Sequence, residues 1–292
     1  MVEEFEFHAG MYRPIRETLL VGLRSRSREC GYVVDAAWGR RAARSRLRAG
    51  DVAIWVGVLW QDFAADCVAA DHACLMYVTE PRGRDAPRTP PDGIRELWTY
   101  TRAHGEGLRY VPPGYVKVDD GADARVRDCE ALRVDRFTWL GSPWGAQRKK
   151  CLHALTKVNP KTRGRTDVKR DVWTPSDWKQ LAKTVDSAVF LNMHKACGDP
   201  DSPLEAVRLA SLLSVGAVVV TEPSFDADRA EFAGLVLTEK AFAGDEWTEE
   251  TKDFLFDRDP ADLANWRRNA YETFKVKFDP ARILRNAGVW NS

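Results

Sequence analysis

Short apolar runs recurring between helix-like stretches constrain this chain more than any other feature. Asp51–Val58 reads DVAIWVGV, Ala73–Val78 reads ACLMYV, Ala188–Met193 reads AVFLNM and Ala217–Thr221 reads AVVVT. Such runs lack the polar alternation of a strand with one wet face, so both faces need cover. Shorter strands are predicted at Glu3–His8, Tyr32–Trp38, Leu97–Tyr100, Leu108–Val111, Phe137–Leu140 and Leu235–Leu237. Helical signals fall between them. Pro14–Arg26 starts on a proline, as do Pro203–Ser214, Pro260–Phe274 and Pro280–Ala287, and proline suits the first helical position. Arg40–Leu47, Gln147–Leu155 and Trp178–Thr184 complete the set. The alternation predicts α/β architecture with mostly parallel sheets covered on both sides.

A length of 292 residues suits two domains. Asp119–Asp128 (DDGADARVRD) is charged, small and free of aromatics, and is expected to be the boundary. Residues 1–120 and 121–292 would then each form a Rossmann-like domain, the second carrying the terminal helices. The chain is 44% hydrophobic with 44 Lys+Arg against 43 Asp+Glu, which excludes a disordered chain and a globally basic nucleic-acid coat. No apolar run approaches the roughly 20 residues needed to span a bilayer. The acidic start Met1–Phe7 has no basic stretch leading into an apolar one, so no signal peptide is expected. The six cysteines show no Cys-x-x-Cys spacing; reduced thiols, no zinc site and a cytoplasmic location are the expectations.

Two segments carry candidate chemistry. In Ser202–Gly216, Ser202 reads as an N-cap, Pro203 as the first helical residue, Glu205 as the capping-box partner and Gly216 as the C-terminal stop. A helix N-terminus there would offer N–H groups to an anion, although the local pattern alone favours Glu205 as only a cap. In Phe137–Lys150 a strand runs into Gly141 and Ser142 and then into Arg148, Lys149 and Lys150. Glycine lets the backbone approach a ligand and the cations match a diphosphate, but neither a Walker loop nor Gly-x-Gly-x-x-Gly is present. Residues 145–170 hold nine Lys/Arg and one acid, Asp167. With no aromatic between Lys157 and Arg170, a solvated basic loop is favoured over a nucleic-acid surface.

Phe190-Leu191-Asn192-Met193-His194, then Leu204-Glu205-Ala206-Val207-Arg208-Leu209, then Gly216-Ala217-Val218-Val219-Val220-Thr221-Glu222 resembles the donor-binding half of GT-B glycosyltransferases. Leu140-Gly141-Ser142 with Arg148 is similar to the loop after the first strand of that half. Arg109–Tyr115 (RYVPPGY) resembles the end of the acceptor half. The likeness is continuous over residues 137–240 and patchier over 50–115. It implies two Rossmann-like domains facing a cleft. The implied activity is transfer of a hexosyl or pentosyl group from a nucleotide sugar, a UDP- or GDP-sugar, to a hydroxyl of a glycan or small molecule. It implies no cofactor and no metal, with leaving-group charge met by cations and N–H groups. Donor-binding residues would be Gly141, Ser142, Arg148, Lys149, His194, Ser202, Leu204, Glu205, Arg208 and Glu222. Arg208 with Arg148 or Lys149 would face the phosphates, and His194 and Glu205 the sugar or ribose. The chain is short for such an enzyme. The Glu-x7-Glu pair of many retaining members has no match, since Glu205 and Glu222 lie 17 positions apart.

An inverting transferase needs a base to take the acceptor hydroxyl proton. His8, Asp62 and Glu80 follow predicted first-domain strands, where α/β proteins bind ligands. His8 leads because Gly10 follows closely. Most of the eleven tryptophans are expected in cores, with Trp60 and Trp144 beside loops. Two rival readings stand beside these: a metal-dependent GT-A-like transferase using Asp226 and Asp228, and a non-catalytic nucleotide-binding module.

Overall fold

The computed structural model describes residues 2–5, 12–25, 32–35, 52–56, 65, 68–69, 73–79, 87–104, 107–117, 120–141, 149–151, 166–169, 182–194, 199–239, 242 and 247–289. The chain divides into two compact units, residues 1–114 with 278–292, and residues 115–277.

In the first unit, β1 (Val2–Phe5), β2 (Tyr32–Asp35), β3 (Val52–Val56), β4 (Ala73–Val78), β5 (Glu96–Thr99) and β6 (Arg109–Tyr110) form one sheet in the order β2-β1-β3-β4-β5-β6. Every pairing is parallel. Residues of both parities are buried along β3 and β4, as their unbroken apolar sequences require. Ala53, Trp55, Cys74, Met76 and Val78 share a core with Ile94 and Leu97. Each large side chain of this kind contributes about 1.5–3 kcal/mol of burial. The Tyr77 hydroxyl is buried and donates to the Val111 carbonyl at 2.5 Å, and burial raises its pKa well above the ordinary value.

Helix α1 (Arg13–Arg24) starts one residue before Pro14 and has no side-chain cap. Its Thr18 hydroxyl accepts the Gly114 N–H at 2.7 Å. A Cβ on Gly22 would sit 2.5 Å from Leu284 Cδ1 and 2.8 Å from the Pro280 carbonyl, so glycine alone permits this contact. Residues 278–292 therefore belong to the first unit, not to a second domain running to residue 292.

The second unit holds β7 (Arg136–Leu140), β8 (Thr166–Lys169), β9 (Ala188–Asn192), β10 (Val218–Thr221) and β11 (Leu237–Thr238), in the order β11-β10-β9-β7-β8, again all parallel. The segment expected as a linker contains helix α2 (Ala122–Arg127), whose Ala122 and Val126 are buried four residues apart on one face. The expected basic loop likewise contains β8, which pairs along the edge of β7. Charge hid both elements, because short segments of this composition carry few apolar residues.

Helix α3 (Ala206–Ser214) is buried along its whole length, its polar Arg208, Ser211 and Ser214 included. Gly216 ends it at φ 72, with Gly216 N–H on Leu213 O and Ala217 N–H on Leu212 O, both 3.0 Å. Helices α4 (Asp226–Glu231), α5 (Glu249–Lys252) and α6 (Pro260–Lys277) follow, then α7 (Pro280–Asn286) in the first unit. Trp139 and Trp247 lie in the second core with Phe137, Leu191, Val218 and Val220. Trp55 and Trp98 are buried in the first. Trp60 and Trp144 lie outside the described residues. Cys74 and Cys151 are each disulfide-bonded, against the expectation of reduced thiols, while Cys129 is free. Spacing along the chain does not report which sulfurs a fold oxidises. Among the described residues no helix is long and apolar enough to cross a membrane.

Candidate functional site

Both sheets have the doubly wound order, in which the first strand lies between the second and third of its unit. The direction in which successive strands are added reverses between β1 and β3 in the first sheet and between β7 and β9 in the second. Ligands of such sheets bind beyond the carboxyl ends of the strands at that reversal. In the second unit the place is marked by Gly141, directly after β7, and by Asn192, Met193 and His194 at the end of β9.

Polar groups concentrate there. Asn192 is buried, and its amide donates to Thr221 Oγ1 at 3.3 Å. Glu222 follows β10 and is 3% exposed; its carboxylate accepts the His194 N–H, and its own N–H meets the Asn192 carbonyl at 3.3 Å. Arg208, in the first turn of α3, donates from Nη1 to Asn192 Oδ1 at 3.3 Å and Met193 O at 2.9 Å, and from Nη2 to Glu205 Oε2 at 2.9 Å. The Arg208 side chain is 8% exposed and that of Glu205 22%. An ion pair so shielded, with further hydrogen bonds on the cation, is stronger and more directional than a surface pair.

The start of α3 differs from the sequence expectation. Glu205, not Ser202, occupies the cap position, and its side chain bonds Arg208 instead of closing a capping box. Ser202 is buried and donates its hydroxyl to Asp199 Oδ2 at 3.0 Å. Leu204 is buried, and its N–H reaches Asp228 Oδ2 at 3.3 Å, while Phe225 N–H meets Ser202 O at 2.8 Å. Docking of residues 202–205 against 225–228 thus takes the groups that would have capped an earlier start. Gly141 is buried at φ 150, with a built Cβ 3.1 Å from the Trp139 ring; Lys149 is exposed.

The structure therefore gathers His194, Glu205, Arg208 and Glu222 at one strand edge, with Gly141 on the neighbouring strand. Asn192 and Thr221 are part of the same network and were missed as site residues; their position as the last residues of β9 and β10 was the available signal. Ser142, Arg148, His8, Asp62 and Glu80 lie outside the described residues. The carboxylates of the metal-dependent rival are engaged separately. Asp226 is exposed and pairs with Arg229 at 2.6 Å, whereas Asp228 is buried on the Leu204 N–H.

No family model matches the chain, and no curated protein matches it in sequence. In structure it aligns over 99% of its length with 98% of HepE (Alr3699) from Anabaena, solved in complex with UDP and glucose, at 10% identity and a TM-score of 0.59. The fold is GT-B. WaaG, a glycosyltransferase involved in lipopolysaccharide biosynthesis, aligns over 99% of both chains at 10% identity and a TM-score of 0.44. The glycosyltransferase SnogD from Streptomyces nogalater aligns over the same shares at 12% identity and 0.37. The GT-B order is carried by the two sheets described above, each parallel and each doubly wound.

Proposed function

We propose that this chain is a metal-independent glycosyltransferase that moves a hexosyl or pentosyl group from a nucleotide sugar to a hydroxyl acceptor. The observation that carries the reading is the polar strand-end network of Asn192, His194, Glu205, Arg208 and Glu222 at the reversal point of a GT-B second sheet. Hydroxyl-rich ligands are held by such carboxylates, amides and N–H groups. The diphosphate would face Gly141, Ser142, Arg148 and Lys149, and the positive charge of the last two would oppose the charge growing on the leaving group. Glu205 and His194 would face the sugar or ribose, with Ser202, Leu204 and Glu222 shaping that side. UDP is the first donor nucleotide to test, because HepE holds UDP and glucose, with GDP next.

The acceptor proton would pass to His8, which follows β1 in sequence, with Asp62 after β3 and Glu80 after β4 as the other bases. Two of these strands, β1 and β3, flank the reversal point of the first sheet. The acceptor would be a carbohydrate or another hydroxyl compound, and the role glycan biosynthesis. A cytoplasmic location loses the support of reduced thiols now that Cys74 and Cys151 are bonded.

Thermal stability against UDP, GDP, dTDP, CMP and ADP, with and without Mn²⁺, tests the reading. One nucleoside diphosphate should stabilise the chain without metal, by about 2.7 kcal/mol at 100 times its dissociation constant. A shift that needs Mn²⁺ overturns metal independence. No shift with any nucleotide overturns the nucleotide-sugar assignment.

A further inference from the structure

We infer that Arg208 is a positioning residue, fixing Glu205 and the Asn192–Met193 strand end to receive ligand hydroxyls, and that it does not touch the diphosphate. The inference rests on the nucleotide-sugar reading and reverses the phosphate role that the sequence motif gives Arg208. Three protein acceptors already surround the guanidinium, on Asn192, Met193 and Glu205. Its Nε is buried and makes no hydrogen bond among the described residues. A phosphate-binding arginine presents its fork outward, toward the anion. Here Nη1 faces the end of β9 and Nη2 faces the start of α3, so the cation ties two elements together.

Glu205 is the most exposed member of this group. Oε2 is held by Arg208, which sets the carboxylate's orientation, and Oε1 accepts no hydrogen bond among the described residues. An oriented carboxylate of this kind accepts from a hydroxyl pair, found both on ribose and on the transferred sugar. Lysine cannot replace the guanidinium, because one ammonium cannot serve acceptors arranged around a planar fork. It does keep a cation in the buried position, so Arg208→Lys should fold.

The test measures dissociation constants of uridine, UDP and UDP-glucose, or the guanosine series if GDP is what binds. The proteins are full-length wild type, R208K, E205Q and the double variant, each checked by thermal denaturation. The expected result is a loss of about tenfold in R208K, a similar loss in E205Q, and no further loss in the double variant. A loss already present with uridine places the hydroxyls on ribose; one that enters only with UDP-glucose places them on the sugar. A loss that enters with the phosphates, or losses that multiply in the double variant, overturns the inference. So does an R208K protein with a lowered midpoint and unchanged binding, which would make Arg208 purely structural. If wild type binds none of the nucleotides, the donor reading fails and takes this inference with it. Wild-type binding with unaffected variants defeats the inference alone.

Discussion

Two buried arginines sit at opposite edges of the second sheet. At the amino edge, Arg267 from α6 is 1% exposed, donates from Nε to the Gly216 carbonyl before β10, and pairs through Nη1 with Asp186 before β9 at 2.7 Å. At the carboxyl edge, Arg208 from α3 meets Asn192 and Met193 after β9 and pairs with Glu205. Both cross-link a helix to strand ends, yet their surroundings differ. Arg267 stands on the side where tight turns feed the strands, next to Gly216 and the α2–α6 packing of Val126 and Tyr271. Arg208 stands where backbone carbonyls, an amide and two glutamates collect. The first edge ties strand starts to α6; the second gathers polar side chains at the strand ends, where the proposed donor site lies.

The sharpest way to break that comparison is Arg267→Met. Removing a buried cation from a carbonyl and a carboxylate should cost about 3 kcal/mol, somewhat moderated because the Asp186 side chain is 45% exposed and can rehydrate. Thermal unfolding should show the loss while nucleotide affinity, measured well below the new midpoint, stays as in wild type. A matching fall in affinity would mean the two edges are coupled and the division of labour is wrong.

Gly216→Ala probes the same edge with a smaller change. At φ 72 a Cβ is strained, and here it would lie 2.3 Å from Val126 Cγ2. A loss of about 2 kcal/mol is expected, again without change in ligand binding. Stability equal to wild type would show that α2 moves freely to make room.

Glu222→Gln tests the carboxyl edge. The amide oxygen can still accept the His194 N–H, so stability should fall by no more than about 1 kcal/mol. Turnover of the nucleotide sugar should fall by more than the stability change alone predicts. Full activity in this variant would reduce Glu222 to a support for the β9 end.

This division explains what was legible in the sequence. Ala73–Val78 matches β4 residue for residue, and β3, β7, β9 and β10 lie inside or within one residue of their predicted runs, because a strand covered on both faces must be apolar throughout. Gly216 was legible for the same local reason, since few residues tolerate its φ. The start of α3 was not: Ser-Pro-Leu-Glu is a sound capping signal, and it lost to tertiary bonds from Asp228 and Phe225 that no local window contains. The candidate site was read through its motif residues, whereas Asn192 and Thr221 became visible only when the β9/β10 register set them side by side. That Cys74 and Cys151 are each disulfide-bonded depends wholly on the fold.

The smallest predicted effect refines the amino edge. Asp123 on α2 accepts from Lys275 at 2.5 Å and from the Tyr271 hydroxyl at 2.9 Å, and these hydrogen bonds lower its pKa. Lys275 is raised in turn, chiefly by the hydrogen bond to Asp123, and burial raises Tyr271. A depressed carboxylate stabilises the fold above its unfolded pKa, and that contribution is lost as pH falls through the lower folded value. A raised ammonium stabilises below its unfolded pKa, and its contribution is lost as pH rises through the higher folded value. The wild-type advantage over Asp123→Asn should therefore be flat between about pH 5 and pH 9, shrinking at both extremes. The Asp123 side chain is 49% exposed and screened by water, so the plateau should be only about 0.5 kcal/mol and should shrink with salt. A plateau as large as the Arg267→Met loss would mean that exposed charges, not the buried arginine, hold α6 to this edge.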